Sequence, residues 1–308
     1  TILLMTTETI TYTVFGAVLV LALTFDLGLM SKKNKKVTIK NALYQTFFWV
    51  GLALAFFVYM WSAEGQKPAL EYLSAYLMEW SLSIDNIFVF ILIFSSFGVK
   101  EKYFGRVLLA GIIMAIVFRI IFISVGVALV AKFHWVLYIF GVFLLVTGIK
   151  MFTSDDEEAY DPQDSKIYKI IKKFIPMVPH DGEGKYTVIE NGKKYYTTLF
   201  FVVIMLAIID IVFAMDSIPA VMGIVDNSPG NEDVAKLVIY TSNIFAVLGL
   251  RSLFFLLRGA VTKFDYLQQG IAIVLVFIGA KMLAEHWINI KKKKNEQVFI
   301  SLGVILVC

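Results

Sequence analysis

The chain has 308 residues, of which 59% are hydrophobic and only 17% are charged. A soluble domain of this length carries about 25% charged residues, so the composition excludes an ordinary soluble protein. It predicts an all-α polytopic membrane protein whose surroundings are a lipid bilayer. The formal net charge of +4 comes mostly from short runs of Lys and Arg between apolar segments. Such runs are typical of membrane-flanking charge, and we expect no nucleic-acid partner.

Long apolar segments alternate with short polar loops along the chain. They predict membrane-spanning helices near residues 12–30, 42–62, 70–95, 106–131, 135–152, 198–223, 236–257 and 267–288, with the start of a ninth helix from about 298. A bilayer crossing needs about 20 residues. Because residues 298–308 supply only part of that length, we expect the sequence to end within this last helix.

The distribution of basic residues predicts the orientation in the membrane. If the N-terminus lies outside, the inner loops 31–41, 98–106, 153–197 and 258–265 hold 17 Lys and Arg, and the outer side holds 7. Basic residues favour the cytoplasmic side, so we expect an N-terminus outside and a location in the cytoplasmic (plasma) membrane. The basic run at 291–294 argues for the opposite orientation.

The loop 153–197 is the only sizeable hydrophilic segment. After an acidic start, residues 166–175 place Ile167, Ile170, Ile171 and Phe174 on one helical face among lysines, which predicts a basic amphipathic helix on the inner membrane surface. Residues 186–196 predict a β-hairpin closed by Asn191-Gly192, since this dipeptide adopts the tight turn that joins two strands. We expect this loop to join two halves of the protein.

Two three-helix units of the chain carry matching polar residues. Aligning Asp85 with Asp216 also matches the pairs Glu79 with Asp210, Asn86 with Ser217, and Lys150 with Lys281. Arg119 and Arg251 correspond as well, at 34 and 35 residues after the respective Asp. The chain therefore divides into a two-helix segment 1–69, a first repeat 70–152, the loop 153–197, a second repeat 198–288, and a basic linker with the start of the last helix, 289–308. Since three spans reverse the direction of the chain, the repeats are expected to be inverted, as in many secondary transporters.

The paired acids are the residues most in need of an explanation, because a carboxylate inside a bilayer costs about 2.5–3.5 kcal/mol. Residues six apart on one helix lie about 9 Å apart along its axis. Two antiparallel helices can interleave such pairs, with Glu79 facing Asp216 and Asp85 facing Asp210. Pro219 would free backbone oxygens beside Asp216, as in the broken helices of transporters.

Carboxylate, amide and hydroxyl oxygens together suit a hard divalent cation such as Mn²⁺, Mg²⁺ or Ca²⁺. The candidate metal ligands are Glu79, Asp85, Asn86, Asp210, Asp216 and Ser217. Candidate pathway or counter-ion residues are Asp26, Arg119, Asn243, Arg251, Lys150 and Lys281. In the alternative interpretation the same charges form buried ion pairs that only fix helix packing.

Other chemistries have little support in the sequence. The one cysteine, Cys308, and three scattered histidines supply neither a disulfide framework nor the spacing of a zinc site. We find no nucleophile-plus-base set, phosphate-binding loop or metal-hydrolase spacing, so we expect neither an enzyme nor a bound cofactor.

Six segments resemble the TerC family of integral membrane proteins, and especially its Alx-type members. They are residues 25–28, 81–90, 137–151, 212–220, 241–251 and 276–282, and they include Asp85-Asn86 and Asp216-Ser-Ile-Pro219. The resemblance implies Mn²⁺ export across the cytoplasmic membrane, with Glu79, Asp85, Asp210 and Asp216 as the metal site. One position departs from the family pattern: many members carry Glu where this chain has Ala207, and one acid fewer would weaken divalent binding or remove a proton carrier.

We therefore expect a transporter that exports Mn²⁺ in exchange for protons, because ligands must lose their protons to bind metal. Two alternatives remain open from the sequence. One is export of another hard cation, Ca²⁺ or Mg²⁺. The other is a membrane scaffold that transports nothing and docks partners through the loop 153–197.

Overall fold

The computed structural model describes residues 7–25, 38–133, 135–153, 176–226, 228, 230–258, 273–280 and 283. Most of these residues are helical. The helices are α1 (Thr7–Phe25), α2 (Ile39–Ala63), α3 (Gln66–Ser96), α4 (Glu101–Lys132), α5 (Val136–Thr153), α6 (Thr198–Ile224) and α7 (Glu232–Leu257). Residues 273–280 are also helical.

Several helices are long and apolar enough to cross a membrane. Among the described residues, α2, α6 and α7 and residues 101–130 of α4 meet this condition, and α1 and α5 contain shorter apolar stretches. Helix α3 has 31 residues and carries the first acid pair. The all-α fold class is confirmed. The first seven predicted spans coincide with α1–α7, although α1 begins before residue 12, and residues 273–280 fall within the eighth. The ninth span and the amphipathic helix 166–175 lie outside the described residues.

Ion pairs at the helix ends show which ends lie together. Lys67, in the first turn of α3, contacts Asp226, two residues after α6. Glu101, at the start of α4, contacts Arg258, just after α7. Helices α3 and α6 are therefore antiparallel, as are α4 and α7. This course is what an inverted repeat requires. Because most of the third helix of the second unit lies outside the described residues, the inverted repeat stays a prediction.

A short antiparallel hairpin follows the predicted pattern. Strands β1 (Thr187–Glu190) and β2 (Lys193–Tyr196) pair with Glu190 opposite Lys193. The two turn residues, Asn191 and Gly192, have φ values of +50° and +75°. Positive φ at both positions defines the tight turn that fits the twist of two strands, so the predicted hairpin is confirmed.

The segment before the hairpin is anchored to the start of α4. The Arg106 guanidinium donates to the Gly184 carbonyl at 2.8 Å and lies 4.6 Å from the Tyr186 ring centroid. Lys100 forms an ion pair with Asp181 at 2.7 Å. We call this side of the bundle the hairpin end, and the side that holds Lys67 and Asp226 the Asp226 end. The hairpin thus connects the beginnings of α4 and α6.

The buried apolar residues form two layers. Tyr72, Ile123, Ile218 and Phe245 belong to the layer nearer the Asp226 end. The layer nearer the hairpin end includes Phe94, Leu108, Val202 and Phe254. Each of α3, α4, α6 and α7 contributes to both layers, and the polar residues described next lie between them.

Candidate functional site

Arg119 of α4 is the centre of a buried polar network. Its side chain is only 1% exposed. The guanidinium grips the Asp210 carboxylate of α6 with two hydrogen bonds, from Nε at 2.8 Å and from Nη2 at 3.1 Å. A planar guanidinium matches both oxygens of a carboxylate, so this contact fixes the relative position of α4 and α6 as well as their charge balance.

The same guanidinium reaches two further helices. Its Nη1 donates to Glu79 Oε2 of α3 at 2.8 Å and to Asn243 Oδ1 of α7 at 2.9 Å. Glu79 and Asp210 are each 1% exposed, and Asn243 is fully buried. Four helices therefore each contribute one side chain to a single layer, which we call the Arg119 layer. The position of each residue near the middle of its helix places the layer at mid-depth of the bundle.

The Arg119 layer carries two ionisable acids and one fixed cation. With both acids ionised, the three side chains sum to one negative charge in a buried setting, where charges interact strongly. Glu79 Oε1 is buried without a hydrogen-bond partner. A cation that binds both carboxylates would compete with the guanidinium, because Arg119 contacts three of their four oxygens. The layer thus has the oxygen ligands of a cation site, and the guanidinium of Arg119 occupies the position that a bound cation would take.

Further buried polar atoms lie along the Glu79 face of α3. Tyr76 Oη, Trp80 Nε1 and Ser83 Oγ have no hydrogen-bond partner, and neither does Ser217 Oγ of α6. An unpaired buried donor or acceptor costs about 1–3 kcal/mol, so each needs an explanation. Sequence reasoning missed Tyr76, Trp80 and Ser83. Tyr76 and Ser83 lie three and four residues from Glu79, which places them on its side of the helix, and Trp80 lies four residues after Tyr76. This spacing was the signal that could have identified them.

The remaining candidate residues have varied positions. Asn86 and Ser217 are buried at 3% and 2% exposure, Arg251 is buried on α7, and Lys150 is exposed in the last turn of α5. Asp85 and Asp216 lie on α3 and α6, but their side chains are outside the described part of the structure, as are Asp26 and Lys281. Among the described side chains, no three His, Cys, Asp or Glu residues are grouped closely enough to hold a metal ion.

The acids pair differently from the interleaved arrangement expected from sequence. Glu79 and Asp210 share one guanidinium and so lie at the same depth. Asp85 follows Glu79 by six residues, and Asp216 follows Asp210 by six. Because α3 and α6 are antiparallel, the backbone of Asp85 lies about 9 Å nearer the hairpin end, and that of Asp216 lies about 9 Å nearer the Asp226 end. The backbones of the four acidic residues therefore lie at three depths.

Helix α6 continues through Pro219 as one α-helix from Thr198 to Ile224, so the expected helix break is absent. Proline has no N–H, and the carbonyl four residues earlier, that of Met215, receives no hydrogen bond from it. The packing of α6 between α3 and α4 maintains the helix across this position.

Asp226 is the centre of a second polar cluster at the far end of α3 and α6. Its carboxylate accepts hydrogen bonds from Lys67, from the backbone and side chain of Ser228, and from Asn231. Burial raises the pKa of the Asp226 carboxyl, but the bonds from Lys67 and Ser228 outweigh burial and hold its pKa below the ordinary value. The carboxylate is therefore ionised and closes the loop between α6 and α7.

Comparison with known proteins gives consistent results. Residues 64–308 match the family described as "Integral membrane protein TerC family". An "Uncharacterized membrane protein STKORF319" of Myxococcus xanthus is 40% identical over 94% of this chain and 88% of its own length. A membrane protein of Rickettsia felis is 43% identical over 94% of this chain and 92% of its own length. The "Putative membrane-bound redox modulator Alx" of Escherichia coli K12 is 36% identical over 94% of this chain and 89% of its own length. No solved structure matches the chain.

Proposed function

Because the chain belongs to the TerC family of integral membrane proteins, we propose that it exports Mn²⁺ from the cytoplasm through the path marked by its buried acids. In this proposal the protein lies in the plasma membrane with its N-terminus outside and the hairpin end facing the cytoplasm. It acts as a transporter rather than as an enzyme and needs no cofactor.

The observation that carries the proposal is the Arg119 layer. Two carboxylates from different helices meet at mid-depth between two apolar layers, and Arg119 balances only one of their two charges. An uncompensated charge is costly there without a function, and Glu79 Oε1 has no hydrogen-bond partner. Asp85 and Asp216 extend the acids toward the two ends of the bundle in steps of about 9 Å. Acids at successive depths are the arrangement expected of a route for a cation.

The chemistry of the donors favours a hard ion. Glu79, Asp210 and Asn243 offer carboxylate and amide oxygens, which Mn²⁺, Mg²⁺ and Ca²⁺ prefer over soft metals. The choice of manganese rests on the family resemblance. Competition among the three ions for the purified protein separates them: Mn²⁺ should displace the other two, and preferential retention of Ca²⁺ or Mg²⁺ would reassign the substrate.

Arg119 has a direct part in the proposed cycle. In the resting state its guanidinium neutralises one of the two acid charges. An arriving Mn²⁺ competes for the same carboxylate oxygens and displaces the guanidinium. When the metal leaves, either Arg119 or protons take its place, because both compensate the carboxylates. Exchange of metal for protons therefore needs no cofactor beyond the acids themselves.

The test is the manganese content of cells that lack their own exporters, after Mn²⁺ challenge. Wild-type protein should lower the manganese content, and Glu79→Gln, Asp210→Asn and Asp85→Asn should each abolish this effect. Asp233→Asn is the matched control, since it removes a carboxylate that is 74% exposed at the start of α7. Export that survives all three substitutions in well-expressed protein would rule out the acid path.

The scaffold alternative has one structural observation in its favour, because Ile189 is 78% exposed on the hairpin. Deleting residues 186–196 would also remove the contact of Tyr186 with Arg106, so a point change is the cleaner test. Ile189→Thr keeps a residue suited to a strand and removes the apolar surface. Export should be unchanged in this variant, whereas a scaffold that docks through the hairpin tip would lose activity.

A further inference from the structure

We propose that a polar passage crosses the bundle along the Glu79 face of α3, and that the Arg119 layer divides it into two halves. Ser83 lines the half toward the hairpin end. Tyr76 and Ser217 line the half toward the Asp226 end. As the route of the transported ion, the passage rests on the proposed function, but its existence can be tested without any metal.

The behaviour of the serines on α3 identifies the residues that face the passage. Ser74 and Ser81 donate to the carbonyls of Leu70 and Leu77, one turn earlier, which is the usual way for a helical serine to satisfy its hydroxyl. Ser83, on the same helix, is 1% exposed and makes no hydrogen bond. Its buried hydroxyl therefore bonds neither to its own helix nor to a neighbouring one and stays available to a ligand.

Ser217 repeats this behaviour on α6. It is 2% exposed, its Oγ has no partner, and it lies seven residues after Asp210, two turns along the same face. Tyr76 is 3% exposed and its hydroxyl is also unpaired, one turn before Glu79 on α3. Since α3 and α6 are antiparallel, Tyr76 and Ser217 both lie on the Asp226 side of the Arg119 layer.

A small apolar cavity lies on the hairpin side of the Arg119 layer. Asp210 is the only charged residue that lines it, and the other lining residues are apolar or glycine, among them Phe90, Leu108, Gly111 and Leu206. Gly111 brings α4 close to α6, since a Cβ there would lie 3.1 Å from the Leu206 Cβ. The cavity thus lies beside Asp210, on the hairpin side of the Arg119 layer.

Unpaired hydroxyls suit a partly dehydrated cation. Water or the ion itself can satisfy each hydroxyl, and hydroxyl oxygens are acceptable ligands for the hard ions that the acids attract. Because the Arg119 layer closes the middle, each half of the passage should be reached only from its own side. Such one-sided access is what a transporter needs to avoid an open leak.

Thiol labelling tests the passage directly. In a Cys308→Ser background, Ser83→Cys and Ser217→Cys each introduce one thiol of similar size to the hydroxyl. Ser74→Cys is the matched control, because Ser74 is buried on α3 but bonds to its own helix. Intact cells and inside-out vesicles are treated with a membrane-impermeant cationic methanethiosulfonate, and the remaining thiols are then counted by a gel shift in denaturant.

We expect Ser83→Cys to react at least about tenfold faster than Ser74→Cys from the hairpin side, and Ser217→Cys to do so from the opposite side. The passage would be overturned if Ser83→Cys and Ser217→Cys both reacted with the methanethiosulfonate only as fast as Ser74→Cys, and if Ag⁺, a smaller thiophilic probe, also failed to block these thiols before the gel-shift count. Reaction of either thiol equally from both sides would overturn the division by Arg119.

Adding Mn²⁺ during labelling separates this inference from the proposed function. Protection of both thiols by Mn²⁺ supports the passage as the route of that ion. Rapid one-sided labelling that Mn²⁺ does not slow supports the passage and counts against manganese as the substrate. Transport by Ser83→Ala and Ser217→Ala gives a second measurement, and a loss of at least about threefold in rate is expected from the removal of a ligand oxygen.

Discussion

Replacing Arg119 by Gln removes the only described cation that touches both Glu79 and Asp210. The substitution keeps a polar side chain, although a shorter one, and leaves two buried carboxylates without their counter-ion. Removing one partner of a buried ion pair typically costs about 3–5 kcal/mol in the free energy of unfolding. We expect a loss in this range for Arg119→Gln at neutral pH.

The measurement is SDS-induced unfolding of purified protein in detergent micelles. Arg258→Gln provides the control, because its ion pair with Glu101 is 36% and 42% exposed and should contribute at most about 1 kcal/mol. The triple variant with Arg119→Gln, Glu79→Gln and Asp210→Asn removes every charge from the layer. It should recover most of the lost stability, because replacing a whole buried ion pair is often nearly neutral.

Metal adds a second readout to the same variants. With the guanidinium gone, Mn²⁺ meets no competitor at the carboxylates, so it should stabilise Arg119→Gln more than it stabilises the wild type. A loss below about 1 kcal/mol for Arg119→Gln would refute the assignment of Arg119 as counter-ion. A triple variant as unstable as the single one would show that the arginine acts through packing rather than charge.

Two further predictions concern the ends of the bundle. The folded state holds the pKa of Asp226 below its ordinary value of 3.8, so its contribution to stability is present above that pH and is lost as the pH falls further. Asp226→Asn should therefore be about 1–2 kcal/mol less stable than wild type at neutral pH. In thermal unfolding this difference should shrink progressively as the pH falls below 3.8 toward the lower pKa of the folded state. A difference that is the same at all pH values would contradict this. Gly184 has φ +91°, and a Cβ there would lie 2.6 Å from the Tyr103 ring, whereas Gly192 has φ +75° and open space around it. Gly192→Ala should lower the free energy of unfolding by about 1–2 kcal/mol through its backbone conformation alone. Gly184→Ala should lower it further and should make the hairpin sensitive to protease. Equal losses in the two variants would show that the contact of Gly184 with α4 is unimportant.

The elements that could be predicted from sequence are those with local causes. The first seven spans followed from runs of apolar residues, and the hairpin followed from Asn191-Gly192, whose backbone preference needs no tertiary contact. Glu79 and Asp210 stood out because a carboxylate in an apolar segment is costly wherever the helix packs. Each of these inferences uses only a residue and its neighbours along the chain.

The inferences that failed or were missed needed the rotation and depth of one helix relative to another. Interleaving Glu79 with Asp216 was geometrically reasonable, but packing places Glu79 level with Asp210 instead. Pro219 was expected to break α6, yet the surrounding helices keep it continuous. Ser83 is indistinguishable in sequence from Ser81, which bonds to its own helix.

The sequence by itself determined that this protein is a bundle of membrane-spanning helices with buried acids in matched positions, because bilayer thickness and the cost of buried charge act on each segment separately. Only the tertiary structure decided that Arg119 joins Glu79, Asp210 and Asn243 in one layer. Side chains from four helices meet according to how their apolar faces fit together, and that fit depends on all the helices at once.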